Sequence, residues 1–148
     1  MSYAMEKVCV ITFFIVCSLT FLIEGADEDT DRNKDIEQYV EECICESGAD
    51  PSDAYAWLRN RTYSKSPCFR CFLFCVGIKI GVWRTDGTVD LDGASEHFGS
   101  SISREQVAAC EALQENNLDF CDKNYQVSTC FDKVIEENAL NPKKPIAE

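Results

Sequence analysis

Three cysteines, Cys68, Cys71 and Cys75, fall within eight residues in the stretch CFRCFLFC. Thiols spaced so closely suit three chemistries: a zinc site, a dithiol redox motif, or anchors for disulfide bridges. Zinc would need further ligands. The chain has a single histidine, His97, and no second Cys-x-x-Cys pair. A redox Cys68-Phe-Arg-Cys71 would follow a strand, and the preceding TYSKSP does not read as one. Disulfide anchoring remains, and it requires an oxidising compartment.

The first residues supply that compartment. A short head carrying Lys7 precedes an uncharged run from Val8 to Ile23, which ends at Glu24-Gly25-Ala26. This is the layout of a secretory signal peptide, cut after Gly25. The run is shorter than the roughly 20 residues of a spanning helix, which argues against a retained membrane anchor. Residues 1–25 are therefore expected to be removed, and residues 26–148 to form one secreted, extracellular domain. Cys9 and Cys17 leave with the leader. Cys43, Cys45, Cys68, Cys71, Cys75, Cys110, Cys121 and Cys130 remain. An even set in a small secreted chain reads as a disulfide framework. The net charge of −12 argues against nucleic acid and anionic membrane surfaces as partners, since both attract a basic footprint. It suits a soluble protein.

The elements that must position these cysteines are helical. DRNKDIEQYVEECICESG carries Ile36, Tyr39, Val40 and Cys43 at helical spacing, with Gly48 as the stop. ADPSDAYAWLRN opens with Asp50 as N-cap and Pro51 at the first helical position. SPCFRCFLFCVGIKIG repeats that logic with Ser66 and Pro67. A turn centred on Asp86-Gly87 follows, then a short helix over GASEHF. Ser103 and Gln106 form a capping box, with Ile102 and Val107 as its staple, and that helix is expected to run to Asn116-Asn117. The last helix starts at Asp119 and carries Phe120, Val127, Phe131 and Val134 on one stripe, ending near Glu137. The tail ALNPKKPIAE is polar. The sum is about six helices with short connections and no convincing strand pair, an all-α domain.

On a helix over 67–80, Cys68, Cys71 and Cys75 share one face. Side chains at i and i+4 point the same way, so Cys71 and Cys75 are not expected to bridge each other; each reaches a different element. Cys121 and Cys130 point to nearly opposite sides of one helix and serve two partners. The third helix is also apolar nearly all round, through Phe69, Leu73, Phe74, Val76, Ile78 and Ile80. Such a helix belongs in the middle of a fold. Its face away from the cysteines meets either packed side chains or a cavity.

Cys71-x3-Cys75, then Cys110, then Cys121-x8-Cys130, preceded by a cysteine in the first helix, resembles the insect odorant-binding proteins of the pheromone/general odorant type. CICESG, CFLFCVGIKIGVWRTDGTVDL and CDKNYQVSTC look like that family's first-cysteine, second-to-third-cysteine and fifth-to-sixth-cysteine segments. The likeness covers about residues 30–138. It implies a compact six-helix, disulfide-stapled domain around an apolar cavity. It implies the bridges Cys43–Cys75, Cys71–Cys121 and Cys110–Cys130. Cys45 and Cys68 depart from the six-cysteine pattern. They are expected to form a fourth bridge, Cys45–Cys68, near the ends of the first and third helices.

The resemblance also implies a carrier of small hydrophobic ligands, odorants or pheromones, that works without cofactor or metal. Phe69, Leu73, Val76, Ile80, Trp83, Val107, Leu113 and Phe131 can wall its cavity; each also fits a plain core. The alternative is a non-olfactory binder of lipids or amines, or a signalling module without a ligand. An enzyme is not expected. A secreted helical phospholipase needs a His-Asp pair beside a calcium loop, and His97 in SEHFGS has no Cys-Cys-x-x-His-Asp around it. TVDLDGASEHFG places Thr88 and Gly99 where a calcium loop needs carboxylates. A membrane receptor is a further candidate partner, with the protein a monomer or weak homodimer. Two features stand apart: His97, whose imidazole titrates near neutrality, and Asn60-Arg61-Thr62, an N-glycosylation sequon.

Overall fold

The computed structural model describes residues 28–141, with side chains from residue 33 onward. The expected leader and the end of the polar tail lie outside the described residues. Six α-helices occur among them: α1 Glu28–Ser47, α2 Pro51–Asn60, α3 Pro67–Lys79, α4 Leu91–Phe98, α5 Arg104–Ala112 and α6 Phe120–Leu140. There is no strand among the described residues, only an isolated antiparallel bridge between Trp83 and Val89. The fold class is all-α.

Local chemistry explains where the helices begin. The Asp50 carboxylate accepts from the Ser52 N–H at 2.8 Å, and Pro51 occupies the first turn of α2, where no amide donor is needed. Asp90 caps α4 through the Asp92 and Gly93 N–H groups. Asp119 caps α6 through the Asp122 N–H. The Ser103–Gln106 capping box forms at the start of α5, and Ile102 and Val107 are both buried beside it. Gly48, at φ +68°, lets the chain leave α1 in the left-handed region.

Three boundaries differ from the sequence expectation; α4 begins at Leu91, two residues before GASEHF, because Asp90 caps it there. α5 stops at Ala112 and the chain turns through 113–116. Cys110 is the last buried residue of that helix, so no packed side chain holds a further turn. α6 continues to Leu140 instead of ending near Glu137.

α3 lies centrally. On one side Phe69, Phe72, Leu73 and Val76 pack with Ile36, Val40 and Cys43 of α1 and Ala54, Trp57 and Leu58 of α2. On the other side Phe74 and Ile78 meet a second cluster containing Trp83, Val107, Val127 and Phe131. Three disulfides close around this arrangement: Cys43–Cys75 joins α1 to α3, Cys71–Cys121 joins α3 to α6, and Cys110–Cys130 joins α5 to α6.

The expected fourth bridge is not formed: Cys45 and Cys68 are free and exposed. Helical geometry gives the reason. Lys79 reaches Glu42 at 2.6 Å, and Cys75 Sγ lies 3.3 Å from Glu46 Oε2, so α1 and α3 run antiparallel here. Cys68 lies seven residues before Cys75, about 10 Å of rise. Cys45 is two residues past Cys43, only about 3 Å of rise, and about 200° round its helix. The two thiols thus differ in both height and direction. Iodoacetamide treatment of unreduced, folded protein is expected to label Cys45 and Cys68 and none of the six bridged cysteines, read by peptide mass mapping.

Candidate functional site

The second cluster draws most of its residues from four parts of the chain, with Ile102 joining from the segment before α5. Trp83 and Val89 come from the turn after α3, Ala94 from α4, Val107 and Cys110 from α5, and Val127 and Phe131 from α6. The turn is folded back by the Arg84 N–H, which donates to the Thr88 carbonyl at 2.9 Å. At its tip the Asp86 carboxylate accepts from the Thr88 hydroxyl at 2.6 Å and the Thr88 N–H at 3.0 Å. These bonds, the hydroxyl's first, hold the Asp86 carboxyl below its usual range. The result is a fixed Trp83, whose ring meets Phe74 edge-on at 6.1 Å. Phe131 meets Phe98 edge-on at 5.5 Å.

Of the residues expected to wall a cavity, Phe69, Leu73 and Val76 are buried on the α1–α2 side of α3. Trp83, Val107 and Phe131 are buried on the opposite side. Ile80, partly buried, touches both clusters. Leu113 is different: it is 74 % exposed and lines an open cavity of about 400 Å³ between the end of α5 and α6, beside the Cys110–Cys130 bridge. It follows the last turn of α5, so it does not share that helix's inward stripe. The groove mixes Leu113 and Val134 with Gln114, Gln126, Lys133 and Glu137.

Charged groups near the apolar interior are paired at its edges. Lys123, 8 % exposed, lies 3.6 Å from Glu111 Oε1 and over the Trp83 ring. The same Glu111 oxygen accepts the Val89 N–H at 2.9 Å. Arg70 pairs with Asp122 and stacks over Tyr125 at 5.1 Å. Tyr63 donates to Asp132 Oδ2 at 2.6 Å. Burial, then the Asp132 charge, pushes the Tyr63 phenol far above its ordinary value, so it stays a neutral donor.

One polar residue in this region is absent from the expected wall. Asn124 is 1 % exposed, one turn before Val127 and two before Phe131 on the inward stripe of α6. The signal that could have found it is a polar side chain at the i−3 and i−7 positions of an apolar stripe. His97 sits half-buried in the last turn of α4, 4.9 Å from the Phe98 ring. Asn60 and Thr62 of the sequon are both exposed.

Six helices, three interlocking bridges and two apolar clusters around a central helix define a disulfide-bonded helical carrier of small ligands. The chain belongs to the PBP/GOBP family, which matches residues 25–134; it is an insect odorant-binding protein by family. A solved structure with the same fold is that of the fatty acid binding protein OBP56a from the oral disk of the blowfly Phormia regina. It is 26 % identical, the match covers 78 % of this chain and 98 % of that one, and the TM-score is 0.56. No curated protein shows a significant match.

The close approach of Trp83 and Asn124 to α3 depends on Gly77. A methyl group there would come within 2.6 Å of Trp83 Cδ1 and 3.2 Å of Asn124 Nδ2. Gly77→Ala is expected to destabilise the fold by about 1–3 kcal/mol through overpacking. Urea unfolding followed by Trp fluorescence measures this, and an unchanged midpoint would contradict it.

Proposed function

We propose that this protein is a secreted carrier that takes small hydrophobic ligands into the apolar region between α3, α5 and α6. One observation carries the reading: a chain of the PBP/GOBP family in which two apolar clusters flank a central helix fixed by disulfides to both neighbours. Cross-linked helices can keep an apolar interior from collapsing when a ligand leaves, so less ordering opposes each binding event. Ile80, Trp83, Val107 and Phe131 are assigned to the ligand wall. Phe69, Leu73 and Val76, which face α1 and α2, are assigned to the core. Leu113 belongs to neither.

The class of cargo has two readings. Odorants or pheromones follow from the family. Fatty-acyl ligands of a non-olfactory carrier are favoured by the likeness to the blowfly fatty acid binding protein. Both are binding functions rather than catalytic ones. In either case the working form is the extracellular chain beginning at Ala26, as a monomer or weak homodimer, with a membrane receptor as a further partner.

Two measurements test this. An apolar fluorescent probe, N-phenyl-1-naphthylamine, is expected to brighten saturably on the purified protein and to be displaced by long-chain alcohols, esters or acids. A helical, folded protein that gives no probe signal would overturn the carrier reading. Expression of the full chain in insect cells is expected to release protein with Ala26 at its N-terminus, identified by intact mass; retention in the membrane fraction would contradict secretion.

A further inference from the structure

Asn124 has no hydrogen-bond partner for either Nδ2 or Oδ1, and both atoms are buried. An amide in that state is costly, because it has given up water for nothing. It does not stand in a charged network that could share the load. Its neighbour Lys123 is engaged with Glu111 at 3.6 Å, and that carboxylate also holds the Val89 N–H. The amide nitrogen lies close to Gly77, where the Trp83 ring also approaches, and the buried Val127 and Phe131 follow it on the same helix stripe.

We infer that Asn124 is the polar anchor of the ligand site and that it selects ligands bearing a hydroxyl head group. The inference rests on the carrier reading above and specifies its cargo. An amide offers a donor and an acceptor side by side. A hydroxyl, which both donates and accepts, can meet both. An ether or ester oxygen accepts from Nδ2 and leaves Oδ1 unpaired. An ionised carboxylate also leaves Oδ1 unpaired, and it finds Lys123 already neutralised by Glu111. The preferred cargo is therefore a long-chain alcohol rather than the matching ether, ester or acid.

The test compares 1-dodecanol with dodecyl methyl ether, which share a chain and differ in the hydroxyl proton. Both are titrated against bound N-phenyl-1-naphthylamine on the wild-type protein and on Asn124→Leu. The wild type is expected to prefer the alcohol by about tenfold, the worth of one good hydrogen bond. Asn124→Leu, similar in volume, is expected to weaken the ether, which loses its one bond from Nδ2, and to weaken the alcohol more, so that the alcohol-to-ether ratio, each measured against the probe's own affinity for that variant, falls to about one. Its helical circular dichroism is expected to be unchanged and its Tm no lower, since two unpaired groups are removed. Should that variant not fold, Asn124→Ala gives the same readout. Equal affinities in the wild type, or a ratio that survives the substitution, would overturn the anchor while leaving the carrier reading intact. That is the outcome expected if buried water is the amide's only partner. A folded wild type without probe uptake would overturn both.

Discussion

The structure depends on the burial of α3. Phe69, Phe72, Leu73, Val76 and Gly77 are all buried on this one helix, and Phe74 and Ile78 pack to the other side. A helix apolar nearly all round cannot rest at a surface; it has to be covered along its whole girth. α1 and α2 cover one side, and α5, α6 and the turn after α3 cover the other. Cys71 and Cys75 fall on one face of α3 because they are one turn apart, and they fix α6 and α1 there. These bridges close loops of 50 and 32 residues. In the chain-entropy account, each contributes about 4 kcal/mol by restricting the unfolded chain.

Placing α3 in the centre splits the hydrophobic interior in two. The α1–α2 side is built from interlocking aromatics, with Trp57 edge-on to Phe72 at 5.9 Å and Phe69 tilted on Phe72 at 5.8 Å. It also receives Tyr63, clamped to Asp132 of α6. The α5–α6 side holds Trp83, Phe131 and the unpaired amide of Asn124. A core that existed only for stability would have little use for an amide at that position, where an aliphatic side chain of the same size fits without desolvation cost. The α1–α2 side also holds a buried donor without a partner, Trp57 Nε1.

Lys79–Glu42, Arg70–Asp122 and Lys123–Glu111 lie where helices meet, each closing over the rim of a cluster. The partly exposed pairs Lys79–Glu42 and Arg70–Asp122 contribute little to stability.

The sequence by itself located the helices and most of their caps; Ser66, expected to cap α3, makes no side-chain cap bond, and the cap at Asp90 comes from the structure. Asp50, Asp90, Ser103 and Asp119 sit before helices because their side chains satisfy the first free N–H groups, a requirement confined to a few neighbouring residues. It also determined that α3 is central, since its composition leaves no polar face to expose. Only the tertiary structure decided which cysteines meet and which side chains turn inward. Cys45 and Cys68 look like natural partners by elimination, yet antiparallel helices set them at different heights and directions. Leu113 looks like a wall residue by type, yet α5 ends before it, which places it on the open groove beside Cys110–Cys130 and not in either buried cluster. Asn124 looks like a surface residue by type, yet the rotation of α6, fixed by Cys71–Cys121 and Cys110–Cys130, turns it into the interior. Those outcomes depend on the axial offset and rotation of one helix against another. Both are set by long-range packing and cross-links, which no local window of sequence contains.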